Sequence, residues 1–176
     1  MLPKVAFVME RQTKPPTLLV VGKKKSGKTT LVVQLVELLT ARGFAVGTIK
    51  HAAHDHPRDE PGTDSHRHRE AGAHLAAFLT PSGFAVFGDE TDEQANFARL
   101  REWMATLDII VVEGGKRLPG PKVEAFLTDA HDTPLLGPDE DCLAIVTDRL
   151  TEHFAPIVGP ADLTPLVDLI ERELLS

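Results

Sequence analysis

Residues 18–30, LLVVGKKKSGKTT, run from a short apolar segment into a turn of glycine, lysine and serine, and then into a helical pattern. Four of the chain's 19 Lys and Arg residues sit in this turn, although the formal net charge is -7. A run of like charge is ordinarily a solvated face, but the spacing here says more than the charge. Gly22, Gly27, Lys28 and Thr29 match G-x-x-x-x-G-K-[ST] without departure, after a strand candidate over residues 18–21 and before a helix candidate over 28–42. Glycines let such a backbone curl until its N–H groups surround phosphate oxygens, and the following helix adds its positive end. The candidate phosphate contacts are therefore Gly22, Lys23, Lys24, Lys25, Ser26, Gly27, Lys28, Thr29 and Thr30. Lys28 is placed to reach the β- and γ-phosphates, and the Thr29 hydroxyl to ligate Mg²⁺. For Lys23, Lys24 and Lys25 two readings stay open: each adds charge to the phosphate site or faces water.

The rest of the chain supplies a frame for this loop. Leu31, Val32, Leu35, Val36, Leu38 and Leu39 fall on one helical face, Gly43 supplies a left-handed stop, and residues 44–50 read as a strand. Residues 51–69 lack apolar periodicity and carry Pro57, Pro61 and Gly62, so they read as a long loop of the kind that is either functional or disordered. Two strand candidates, 74–79 and 84–87, flank the turn signal TPSG. A helix over 92–106, strands within LDIIVVEGG, KVEAFL and CLAIVTD, and a closing amphipathic helix around Leu166, Val167, Ile170 and Leu174 follow. The alternation predicts an α/β fold of the P-loop NTPase type: a mainly parallel sheet, helices on both faces and an inserted β-hairpin. Residues 1–16, ending in RQTKPP, read as an N-terminal extension, and 17–176 as a single nucleotide-binding domain.

Composition narrows the function. The acidic balance argues against general nucleic-acid or membrane-surface binding, which need a basic face. Val5 to Met9 is too short an apolar run for a signal core or a membrane span, which places the chain in the cytoplasm by default. The lone cysteine, Cys142, sits in an apolar run and reads as a buried, inert thiol. Glu113 ends the β-branched run Ile109 to Val112, where an ionised group is expensive unless a cation accompanies it. It is favoured as the metal-facing carboxylate and candidate catalytic residue over Asp108, whose place at the strand's entrance suits an exposed or capping role. Six of eight histidines lie between His51 and His74, and His54-x-His56 and His66-x-His68 have the spacing of zinc pairs. With no nearby cysteine, a polar loop contacting a ligand or partner is the better reading. Asp148, closing AIVTD, is a candidate for accepting from guanine N1–H and N2–H₂, against the alternative that it caps the following turn.

GTIKHAAHD, DEPGTDSHRHREAGA, LDIIVVEGGK and PKVEAF resemble, in order and spacing, the MobB family of molybdopterin-guanine dinucleotide biosynthesis adapter proteins, from about Leu18 to Asp148. The resemblance implies a homodimeric P-loop protein that binds GTP with Mg²⁺, hydrolyses it feebly, and works beside the guanylyltransferase MobA and other molybdenum cofactor enzymes on molybdopterin. It also implies that residues 22–30 are the phosphate loop, that Glu113 is the acid of the second nucleotide motif, and that Asp64 belongs to the metal or switch region. His51 and residues 67–73 match family positions without a derivable role. Lys24 and Lys25 stand where the family usually has small residues, and Gly115 where it usually has an aromatic one. The competing classes are a small-molecule kinase or stand-alone NTPase, and a scaffold whose loop binds stray anions. Gln34 and Gln94 both fall in helical stretches away from the loop, so no evident water-orienting glutamine accompanies it, and slow hydrolysis is expected.

Overall fold

The computed structural model of the chain describes residues 14–52, 59–88 and 91–176. The elements are β1 (Thr17–Val21), α1 (Lys28–Ala41), β2 (Val46–Lys50), α2 (Asp64–Glu70), β3 (Leu75–Thr80), β4 (Gly83–Gly88), α3 (Glu93–Trp103), β5 (Ile109–Glu113), β6 (Lys122–Ala125), β7 (Cys142–Val146), β8 (Ile157–Val158) and α4 (Thr164–Ile170), with a π-helical turn at Glu171–Leu175. They group into two compact units, one holding residues up to His51 and from Arg101 onward, the other Ala52–Leu100.

The larger unit is a six-stranded sheet in the order β2-β5-β1-β6-β7-β8. Every neighbouring pair in it is parallel. Strands buried on both faces cannot alternate apolar with polar, which is why β1 and β5 read as continuous apolar runs. Leu18, Leu19, Val20 and Val21, and Ile109 through Val112, are at most 1% exposed. On α1, Leu31, Leu35 and Leu39 recur every fourth residue and so share one face. They pack with Leu18, Val20, Ile109 and Val111, and the same cluster takes in Leu166, Val167 and Ile170 of α4. Each such side chain contributes about 1.5–3 kcal/mol by leaving water. On the other face Met104 and Leu107 lie over Gly47. Strand β8, two residues long after Pro156, carries no periodic signal and escapes a sequence reading.

The smaller unit contains the expected hairpin, β3 and β4, paired antiparallel from Leu75↔Gly88 to Thr80↔Gly83. It also corrects the reading of residues 51–69 as loop, because Asp64–Glu70 is helical. No residue of α2 is buried, so it has no apolar stripe to detect. Its signals are polar instead. Thr63 caps the N-terminus by accepting from His66 N, Asp64 stands in the first turn, and Arg67, His68 and Arg69 stand in the last, all of which suit the helix dipole. Asp59 supports the cap, accepting from the hydroxyls of Thr63 and Ser65 at 3.1 Å each.

Cys142 begins β7, and burial pushes its thiol up to about 11, with Glu124 adding to the effect. Since the thiolate is the nucleophile, its population at pH 8 falls roughly a hundredfold below that of an ordinary thiol. Maleimide labelling of the native protein at pH 8 is expected to be slower than labelling in denaturant by about that factor, as mass spectrometry would show.

Candidate functional site

Parallel pairing fixes where the loop emerges. Val20 is in register with Glu113 and Val123, and Lys50 with Glu113, so the ends of β1, β2, β5 and β6 share one edge of the sheet. Sheets of this kind bind ligands at the carboxyl ends of their strands, where the order reverses about the first strand. Residues 22–27 fill that position. Gly22 has φ +149°, and a Cβ there would collide with Ser26 Oγ and come within 2.6 Å of Ala125 O. Gly27, at φ +95°, is the N-cap of α1, and a Cβ would lie 2.9 Å from that of Leu127. Both glycines are therefore required by close approach as well as by backbone angle. Leu31 N donates to Gly27 O, the first bond of α1, which leaves the preceding helical N–H groups at the mouth of the loop.

Three side chains of the motif converge there. Lys28 Nζ donates to Gly22 O at 3.0 Å and to Lys23 O at 2.7 Å, folding back across the loop. Thr29 Oγ1 donates to Glu113 Oε1 at 2.9 Å, although the residues are 84 positions apart. Lys50 Nζ stands 3.7 Å from the same carboxylate oxygen. Glu113 is held at its root by two backbone bonds, from His51 N to its carbonyl and from Gly114 N to Val20 O. A cleft of about 340 Å³ is lined by residues 24–30, Glu113 and Thr128. Ser26 borders it, with its hydroxyl oxygen buried and unbonded among the described residues.

This donor set suits a hard divalent cation. Mg²⁺ binds through one or two protein oxygens and fills its remaining positions with phosphate and water. The Thr29 hydroxyl and the Glu113 carboxylate are two such oxygens beside a phosphate-shaped loop, which fits it. Among the described residues no three His, Cys, Asp or Glu side chains converge on one point, and His54 and His56 lie outside them. Asp108 caps the edge of the sheet, its Oδ2 accepting from Ala45 N at 2.8 Å. Asp64 is exposed in the smaller unit, as the first residue of α2.

The structure gives each loop lysine a distinct place. Lys24 and Lys25 are exposed, and Lys25 holds φ +63°, a left-handed conformation unusual outside glycine. Lys23 Nζ donates to Thr133 O and Oγ1, at 2.8 and 2.9 Å. Asp148 is exposed just beyond β7, and the turn there is capped by Thr147, whose Oγ1 accepts from Arg149 N at 3.0 Å. Beside Gly115, a Cβ would come within 2.8 Å of Leu118 Cδ1, so leucine takes the space an aromatic residue would need. Sequence reasoning passed over Thr128, His131 and Thr133, which meet the loop from a segment without periodicity or motif, and Arg149, which follows β7 and bonds to that segment.

A parallel α/β sheet with a glycine-lysine loop at its carboxyl edge defines a chain of the P-loop NTPase-like fold class. The sequence profile of the family described as Molybdopterin guanine dinucleotide synthesis protein B, MobB, matches residues 17–148, and the chain belongs to that family. The molybdopterin-guanine dinucleotide biosynthesis adapter protein of Escherichia coli (strain K12) is 34% identical over 166 residues, covering 92% of this chain and 95% of that protein. The adapter protein of the same description from Haemophilus influenzae is 32% identical over 161 residues, 90% of this chain and 89% of that one. The crystal structure of Bacillus subtilis MobB is similar with a TM-score of 0.69 at 27% identity, over 90% of this chain and 98% of that one.

Burial lowers the Lys28 ammonium below its ordinary range; Glu113 opposes the shift and Lys50 adds to it. An anion needs the protonated form, so any affinity that Lys28 lends to a phosphate ligand is expected below the lowered value and is expected to fall as pH rises through it. Removing the ammonium takes away a charge-assisted contact worth about 1.5–3 kcal/mol. Lys28→Ala is expected to weaken triphosphate binding at least about tenfold at neutral pH and to abolish the alkaline decline. Calorimetric titrations of both proteins across pH 7–10 measure this.

Proposed function

We propose that this chain is a GTP-binding adapter of molybdopterin-guanine dinucleotide biosynthesis, working as a homodimer beside a MobA-type guanylyltransferase and other molybdenum cofactor enzymes that handle molybdopterin. The observation that carries the nucleotide part is the 2.9 Å pairing of Thr29 with Glu113 beside Lys28 at the mouth of one loop. The adapter part is supported by family membership and by the names of the relatives. The homodimer is supported by the hairpin, where the cross-strand partners Leu79 and Phe84 are 80% and 74% exposed, an apolar face that a second copy would cover.

In this reading the N–H groups of the loop and of the first turn of α1 hold the phosphates, and Lys28 turns from Gly22 O and Lys23 O toward the β- and γ-oxygens. Thr29 and Glu113 would hold Mg²⁺, which would supply charge neutralisation at the phosphates. With Glu113 at the metal, no glutamine among the described residues lies in the loop to orient attacking water. Gln34 lies within α1 and Gln94 within α3. The bound nucleotide therefore persists, as a carrier or positioning protein requires.

Single-turnover assays with GTP, with and without the guanylyltransferase, test this directly. The expected outcome is hydrolysis well below the roughly 1–100 s⁻¹ of kinases, together with a changed output of the partner. Fast partner-independent turnover, or phosphate transfer to a small molecule, would instead establish the kinase or NTPase alternative.

Base choice belongs to the same proposal. Asp148 stands on the loop's edge of the sheet, two strands from β1, or about 10 Å across. With the turn capped by Thr147, the Asp148 carboxylate is left to accept from guanine N1–H and N2–H₂, a pair adenine lacks. Asp148→Asn is expected to erode the preference for GTP over ATP at least about fivefold, since a charged acceptor is worth more than a neutral one. Competition binding of the two nucleotides measures the ratio, and an unchanged ratio would remove Asp148 from the base site.

A further inference from the structure

The segment that follows β6 lies along the outside of the phosphate loop and meets it residue by residue, in opposite chain directions. Leu127 N donates to Ser26 O at 3.0 Å. Thr128 Oγ1 donates to Lys25 O at 2.6 Å. His131 Nε2 is 2.6 Å from Lys24 O and acts as its donor, since a carbonyl can only accept. Lys23 Nζ closes the series on Thr133. Three successive loop carbonyls are thus turned outward. In a planar trans peptide the next residue's N–H points the opposite way, so the N–H groups of Lys25, Ser26 and Gly27 are directed away from the strap. Ser26 N turns back to Lys23 O at 3.2 Å, and the left-handed angle of Lys25 lies in the middle of this turn.

The strap is itself held at both ends. Arg149 Nη1 donates to Thr128 O at 2.5 Å and to His131 O at 2.8 Å. Its Nε is 3.2 Å from Asp129 Oδ1, and its guanidinium lies 4.3 Å from the centroid of the Phe126 ring. Farther along, the buried Glu124 carboxylate accepts from Leu135 N, and from Leu136 N at 3.0 Å. Arginine alone among the side chains can serve two carbonyls, a carboxylate and a ring face with one planar group.

We infer that Arg149 is a positioning residue for nucleotide binding: through residues 127–133 it holds the loop carbonyls of Lys24, Lys25 and Ser26 outward, and so keeps the phosphate cradle formed before the ligand arrives. This rests on the nucleotide reading above. Where only a fraction of molecules holds the competent loop, the apparent dissociation constant rises by the inverse of that fraction. Arg149 acts on the phosphates' receptor and not on the base, so its effect is the same for any ligand with the phosphate chain.

The test uses the full chain with Arg149→Gln, Arg149→Lys and Thr128→Val, the last deleting the bond to Lys25 O while leaving Arg149 in place. Binding of GTP, ATP and inorganic tripolyphosphate is measured by calorimetry, and exchange of the Ser26 and Leu127 amides by NMR without ligand. Arg149→Gln is expected to weaken all three ligands about tenfold and equally, with faster exchange at both amides and unchanged protection in β1 and α1. Arg149→Lys restores part of the loss, and Thr128→Val moves affinity and exchange in the same direction as Arg149→Gln. Unchanged amide exchange, or faster exchange with unchanged tripolyphosphate affinity, would overturn the inference. So would a loss confined to GTP, which would mark Arg149 as a base contact. If the wild-type protein binds none of the three, the nucleotide reading fails, and the claim that Arg149 positions a binding site fails with it. The exchange arm then still decides whether Arg149 holds the loop.

Discussion

Strand β1 is hydrogen-bonded on both sides by parallel neighbours, β5 and β6, and its side chains from Leu18 to Val21 are sealed on both faces. A parallel strand cannot reverse its direction without losing both ladders, so the chain must leave β1 at the same edge where β5 and β6 end. That brings Glu113 and Ala125 to either side of Gly22, and the mouth of α1 between them. Thr29 and Glu113 meet across 84 residues of sequence because of this register, not through any local preference. The rest of the larger unit serves this geometry: α1 and α4 seal one face, and Met104 and Leu107 lie over Gly47 on the other.

A loop that is to hold a ligand through its backbone, as is proposed for residues 22–27, has a difficulty that a site made of side chains does not. Its N–H groups bind only while the peptide planes keep one orientation, and a loop of glycine, lysine and serine has little internal reason to keep it. Here the carbonyl side of the loop is committed to a second segment, which replaces water as the acceptor's partner, while Ser26 N turns back to Lys23 O and the N–H groups of Lys25 and Gly27 point away from that segment. The three lysines gain separate meanings from this. Lys23 is a tie to Thr133, Lys24 and Lys25 lend their carbonyls, and Lys28 crosses to the carbonyls of Gly22 and Lys23.

The parts of the molecule that were readable from sequence share a physical character. β1, β5 and α1 are sealed by neighbours, so burial wrote an apolar run or a helical stripe into them. The hairpin announced itself through its turn. Helix α2 did not, because a helix with no buried residue is written in caps and dipole-matched charges, not in periodicity. Asp108 and Glu113 were separable because one stands at the entrance of a buried strand and the other at its exit, and their partners in the structure, Ala45 N and Thr29 Oγ1, differ accordingly. The strap was silent for another reason. Its partners on the loop are backbone carbonyls and one lysine ammonium, which leave no motif, and Thr128 and His131 are single donors that follow no periodicity.

By itself, then, the amino-acid sequence determined the class of fold, and it marked the glycine-lysine loop after β1 and the acid at the end of β5, because each of these demands particular residue types at fixed local spacing. Glycine is required where a Cβ would strike backbone, and β-branched residues suit a strand that is buried on both faces. Tertiary structure alone decided that Thr29 and Glu113 form a pair and that Arg149 and Glu124 fasten the strap. These are contacts between residues distant in sequence or between backbone groups, and their partners are chosen by strand register and chain direction, which no local pattern of side chains encodes.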